Sequence, residues 1–363
     1  MVGPGHANFW AGDALGSFAS VASTIAWVVK VGIANMAVAT LLDSPSMILL
    51  AIPSTVIWAY CAFGTVLIIG LVVIGLFGDW QRARGFDKLI LLGPLFYAAP
   101  LAAFGTEHFT RATVIASLIP RWIPWHLFWA YFVGACFIAA TLSMVTRIQL
   151  RLSASMLALT FFLFVMLMDI PGWLRHPNDR FGVTLALREL AFSGGALALA
   201  VTLTSQYQEH GKSIAASMGA TIARFFVAVS VLFYSFEQFR HGDHVPGVPL
   251  RPLTPAWIYG HALWTYLAAL VYAAAGIPLL LGKKSRAAAA WIGLAVLFVE
   301  LVVYVPIGVV ERASLDKGFN FLGDTLMFCG AVLLVAGAMP REARLQKSTG
   351  HQLAVEAAVD HHT

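Results

Sequence analysis

A chain of 363 residues with 59% hydrophobic and only 11% charged residues departs from soluble domains, in which about a quarter of residues are charged. Its mean hydropathy of +0.79, with 25 Phe and 11 Trp, is more apolar surface than a water-soluble fold can hide, so much of it must face lipid. The formal charge of +5 comes without a basic block, which excludes a nucleic-acid surface as its cause.

The segment Met1 to Asp13 carries no Lys or Arg ahead of the first apolar stretch and does not read as a cleaved signal peptide. Crossing a bilayer takes about 20 apolar residues. Such runs lie at Ala51 to Phe77, Leu89 to Gly105, Leu127 to Val145, Leu152 to Ile170, Val183 to Leu203, Ile222 to Phe236, Ala262 to Leu281, Ala287 to Pro306 and Phe321 to Ala338. A further stretch, Phe18 to Leu42, either spans or lies in the interface, because Lys30 near its middle costs roughly 2.5 to 3.5 kcal/mol to insert. The expected fold is therefore an all-α, polytopic integral membrane protein.

Short loops with Arg82, Arg84, Lys88, Arg147, Arg151, Lys212, Lys283, Lys284 and Arg286, and the tail with Arg341, Arg344 and Lys347, fall on one side of this arrangement. Cation density assigns that side, and with it the C-terminus, to the cytoplasm. The opposite loops hold Glu107, Asp179, Glu237, Asp243, Glu311 and Asp316, with Trp122, Trp125, Trp129, Trp173, Trp257 and Trp264 placed as an interfacial belt. Cys61, Cys136 and Cys329 sit inside apolar runs without a CxxC pair, which argues against thiol-disulfide chemistry.

The chain repeats itself. Phe104 to Phe109 aligns with Tyr234 to Phe239 at an offset of 130 (237 − 107). Pro120, Trp122, Ile123, His126, Trp129 and Tyr131 then meet Pro255, Trp257, Ile258, His261, Trp264 and Tyr266 at an offset of 135 (255 − 120). Each copy is four helices, an even number, so the two run in the same direction and form two parallel four-helix bundles. The boundaries are residues 1–87 for N-terminal membrane segments (one or two extra helices), 88–210 and 211–340 for the two repeats, and 341–363 for a polar tail.

Gly105-Thr106-Glu107-His108-Phe109, Ile119-Pro120-Arg121-Trp122-Ile123-Pro124 and Trp129-Ala130-Tyr131-Phe132-Val133-Gly134 together resemble the DoxX-like family of four-helix bacterial membrane proteins. Phe239, Pro255-Ala256-Trp257-Ile258 and Trp264-Thr265-Tyr266 carry the likeness in the second copy. The glutamate that the family places in its second helix is replaced by Phe137 and Tyr272, and the preceding glycine is Ala269 in the second copy. The resemblance implies a bacterial inner membrane and a redox neighbourhood: an accessory or subunit of a membrane redox system, a periplasmic or membrane redox partner, and a quinone as the ligand.

Several residues are candidates for chemistry. Glu300 lies about one and a half turns before Pro306, inside an apolar helix, where an acid is either functional or held by a bundle partner. Glu107 and Glu237 end equivalent helices against the negative helix pole; Arg111 or Arg121 and Arg240 or Arg251 are their expected ion-pair partners. Asp169, near a helix end, Glu189, beside Arg188 at a helix start, and Asp324 join Glu300 as residues that could line an outward-facing pocket in each bundle. His126 and His261 start equivalent helices, and His241-Gly242-Asp243-His244 offers two imidazoles and a carboxylate within four residues. No HxxxH supports a metal on a helix, and interfacial histidines commonly bond loop backbone. Pro120, Pro124, Pro246, Pro249, Pro252 and Pro255 stiffen the outer loops into a lid. Three functions stay open: a quinone-linked redox subunit, a carrier or channel for a small solute or ion, and a non-catalytic membrane scaffold.

Overall fold

The apolar runs fold as helices, and the computed structural model describes them over residues 52–76, 78–204, 214–248 and 252–340. The stretch Phe18 to Leu42, Lys212, Pro249, Arg251 and the tail from Arg341 lie outside the described residues. Among the described residues, nine helices are long and apolar enough to cross a bilayer: α1 (Ser54–Leu76), α2 (Phe86–Thr110), α3 (His126–Thr146), α4 (Leu150–Arg175), α5 (Arg180–Thr202), α6 (Ala215–Arg240), α7 (His261–Leu281), α8 (Ser285–Val310) and α9 (Leu315–Ala338). These are the helices of a multi-pass membrane protein. Within α2 to α5, and again within α6 to α9, each helix packs on the next.

Between the two sets the contacts are reciprocal: α5 packs on α6, α9 on α2, and α5 on α9, while α1 lies against α2. Of the α9 span 89% is buried, against 17% for α1, so α9 is the internal post and α1 is a lipid-facing helix. Gly105 and Gly134 let α2 and α3 touch backbone to backbone. A Cβ added at Gly134 would lie 2.6 Å from the His108 Cβ and 3.2 Å from the Gly105 carbonyl, the close approach that small residues permit between membrane helices. The matching crossing of α6 and α7 is held by the Ser235 hydroxyl, which donates to the Ala269 carbonyl at 2.8 Å.

Element boundaries keep a constant spacing. α3 and α7 start 135 residues apart (261 − 126) and end 135 apart (281 − 146). α4 and α8 do the same (285 − 150 and 310 − 175). Each of these last two contains a wide π turn, Val165–Asp169 and Glu300–Tyr304, in which Ile170 N donates to Val165 O and Val305 N to Glu300 O. Sequence reading ends the two spans at Ile170 and Pro306. The helices run on because the wide turn absorbs the missing donor and the ring of Pro171 and Pro306. Left-handed backbone recurs at the same spacing: Trp125 and Gly260, Arg147 and Gly282, Gln149 and Lys284 all have φ between 48° and 75°.

Candidate functional site

The polar residues gather on the seam between the two sets of helices. Along α5, Arg180, Thr184 and Arg188 are spaced by four and share one face. Arg180 Nε donates to Glu237 Oε2 at 2.7 Å. The Tyr234 hydroxyl donates to Thr184 O at 2.9 Å, and the Ser230 hydroxyl to Leu187 O at 2.6 Å. Deeper in, Arg188 forms a short ion pair with Asp324 of α9. On the flank of α5, Glu189 Oε2 and Asp169 Oδ2 are buried with no hydrogen-bond partner among the described residues.

One expectation is corrected here. Glu189 does not begin a helix: α5 starts at Arg180, capped by Asp179, whose side chain accepts from Phe181 N at 3.1 Å. Glu189 is therefore nine residues inside, beyond the reach of the helix pole. The Arg188–Asp324 pair crosses from one set of helices to the other.

Glu300 is the first residue of the wide turn in α8. It is 2% exposed, and neither carboxylate oxygen has a hydrogen-bond partner among the described residues. The Tyr272 hydroxyl is likewise buried without a partner. Above this group the loop through Val245 to Val248 turns into the second set of helices and is buried there. Tyr304 donates its hydroxyl to Pro246 O and to Val248 O, Thr325 donates to Val248 O at 2.6 Å, and Gly247 N donates to Gln238 Oε1 at 3.2 Å. Gly247 has φ of 82°, a conformation that side chains with a Cβ disfavour. Sequence reading treats this segment as a proline-stiffened lid; its tip is instead a plug seated on tyrosine and threonine hydroxyls.

Glu107 and Glu237 occupy matching helix ends with different partners. Arg111 stands 3.9 Å from Glu107 Oε2 but pairs more closely, at 2.8 Å, with Asp316, and that pairing raises the Arg111 pKa above its ordinary value. Glu107 Oε1 and Asn320 Oδ1 are buried with no hydrogen-bond partner among the described residues. For Glu237 the partner is Arg180 and not Arg240, which lies over the Phe236 ring at 5.5 Å. The expected local pairing fails because α5 brings a closer arginine from the other set of helices. Around this pair opens a cleft of about 410 Å³ between the start of α5 and the end of α6.

The histidines do not converge. His126 Nε2 is 3.2 Å from Pro120 O in its own loop, and His261 starts α7 with no carboxylate ion pair among the described residues. His244 Nδ1 meets Asp243 Oδ1 at 2.7 Å, and the hydrogen bond holds the Asp243 carboxyl below its ordinary range. The His241 and His244 rings are 5.4 Å apart, and among the described residues no group of three His, Cys, Asp or Glu is arranged to hold a metal ion. Sequence reading missed the tyrosines; Tyr234, Tyr272 and Tyr304 in otherwise apolar helices were the available signal.

Comparison with protein-family models, curated proteins and solved structures finds no match for this chain.

Proposed function

We propose that this protein is a duplicated four-helix membrane protein of the DoxX-like kind whose shared interior binds and passes protons, acting as a proton-coupled carrier or conductor. Glu300 carries the reading. An ionised carboxylate without a donor in so dry a place costs several kcal/mol, so the residue is favourable only when it holds a proton or meets a cationic ligand. The carboxyls of Asp169, Glu189 and Asp324 supply further protonatable sites, and Arg188 is the fixed counter-charge of Asp324. Matching helix boundaries, wide turns and left-handed positions at a spacing of 135 support the duplication. The reciprocal packing of α5 on α6 and α9 on α2 fits a pseudo-two-fold axis along the membrane normal. Cation density supports an orientation with the Glu107 end outside, and the family likeness a bacterial inner membrane.

In proteoliposomes carrying an internal pH dye, an imposed potential should drive proton entry through the wild type. Glu300→Gln, which keeps shape and removes the charge, should abolish it while leaving the thermal transition within about 1 kcal/mol of wild type. Wild-type flux in that variant would overturn the reading. A quinone retained through purification, with no flux, would instead favour the redox-linked subunit that the family likeness implies.

A further inference from the structure

The cleft beside Glu237 is separate from the Glu300 cluster, and proton passage through the interior makes no use of it. Its polar wall is formed by Asn178, Arg180, Glu237, Arg240 and His241, and Phe233 contributes to its apolar floor. Two guanidinium groups face one carboxylate, so the wall carries a net positive charge with His241 neutral. That single carboxylate is shared: Glu237 Oε2 takes Arg180 Nε at 2.7 Å and stands 3.8 Å from His241 Nε2.

The donors outnumber the acceptors. Arg180 uses Nε on Glu237, while its Nη2 is buried with no partner among the described residues. A guanidinium is a planar fork suited to binding two oxygens at once, and here half of the fork is idle. Arg240 rests on the Phe236 ring and makes no ion pair with a carboxylate among the described residues. Burial, followed by the Arg180 charge, lowers the His241 pKa; the excess of guanidinium over carboxylate in the lining suits an anion.

We infer that this cleft binds a phosphate-bearing anion whose oxygens take the Arg180 and Arg240 guanidinium groups and the His241 ring. A planar carboxylate would duplicate what Glu237 already supplies, whereas a tetrahedral group offers acceptors in the separate directions from which these three donors come. A cleft of about 410 Å³ is roomier than phosphate alone needs and falls in the range of small-molecule sites, so an organic portion can lie on the apolar floor. Its place at the helix ends puts it at headgroup level, where a guanidinium can pair with a lipid phosphate. The phosphate therefore comes from a lipid headgroup or from a free phosphate compound.

The two sources separate experimentally. The full chain in phosphatidylcholine nanodiscs is titrated with inorganic phosphate by calorimetry, and in parallel its thermal transition is compared in nanodiscs with and without phosphatidic acid. Binding of inorganic phosphate assigns the free source; a transition raised by phosphatidic acid without phosphate binding assigns the headgroup. In either case Arg240→Gln should weaken the effect about tenfold, the worth of one charge-assisted bond. Glu237→Gln removes the competing carboxylate and should strengthen it severalfold. Absence of any response to both probes, equal binding in Arg240→Gln, or weaker binding in Glu237→Gln would overturn the site.

Discussion

In the first bundle, α2 to α5, the interior is filled by phenyl rings: Phe137 stacks on Phe161 at 5.5 Å and Phe161 meets Phe192 at 5.4 Å. In the second, α6 to α9, the positions 135 residues on from the first two are Tyr272 and Val296, and the Phe137 ring gives way to a hydroxyl with no partner. Asp169 corresponds in the same way to Tyr304 and Val165 to Glu300. One scaffold thus carries two interiors, with acids on the flank of the first bundle and an acid under a tyrosine-held plug in the second. The wide turns have the same bounds at that spacing while the residues that open them differ, so the backbone device precedes any one chemistry and serves either.

The largest expected effect falls on the link between the bundles. Asp324→Asn leaves the Arg188 charge buried without its counter-ion and should cost about 3–5 kcal/mol, read as a lowered thermal transition in detergent. Arg188→Met with Asp324→Leu should recover most of it, and failure to recover would mean that the pair does more than neutralise itself. Next comes the helix crossing, Gly134 in one bundle and Ala269 in the other. Gly134→Ala should destabilise by roughly 1–3 kcal/mol through the His108 clash, whereas Ala269→Gly should cost at most about 1 kcal/mol; equal effects would show the two crossings to be alike.

The smallest effect tests the opposite end of the molecule, where Arg147 of the first bundle pairs with Asp79 at 2.8 Å and the second bundle has Gly282 at the corresponding position. The bond to Arg147 holds the Asp79 carboxyl below its ordinary value of 3.8. A carboxyl depressed on folding adds stability that is complete above its unfolded pKa and is lost as the pH falls through the folded one. Asp79→Asn should therefore cost a few tenths of a kcal/mol at neutral pH, as exposed pairs do. Wild type and variant should converge in acid below pH 3.8; a difference persisting there would place the effect elsewhere.

The helices are legible in the sequence because burial in lipid demands long apolar runs, and the recurrence of Pro120, Trp122 and His126 as Pro255, Trp257 and His261 is legible beside them. Glu300 was legible for the same reason, as a charge where none is cheap. The partners were not. Arg180 reaches Glu237 across 57 residues and Arg188 reaches Asp324 across 136, and such distances along the chain leave no periodic trace. The plug was hidden because Gly247 and Val248 are ordinary loop residues, and it is the distant side chains of Gln238, Tyr304 and Thr325 that make the descent favourable.

The left-handed turn positions carry one more consequence. Glycine stands at Gly260 and Gly282 but tryptophan and arginine stand at Trp125 and Arg147, with the same backbone sign. An L-residue held in that conformation opposes its own preference by about 1–2 kcal/mol, so in the first bundle the flanking helices impose the turn on whatever residue occupies it. A corner dictated from outside has no need of a permissive residue, and its side chain becomes available for other work: Arg147 reaches Asp79, and Trp125, 77% exposed, is free to sit among lipid headgroups. Where helix packing alone sets a loop, the loop can change its chemistry without changing its path.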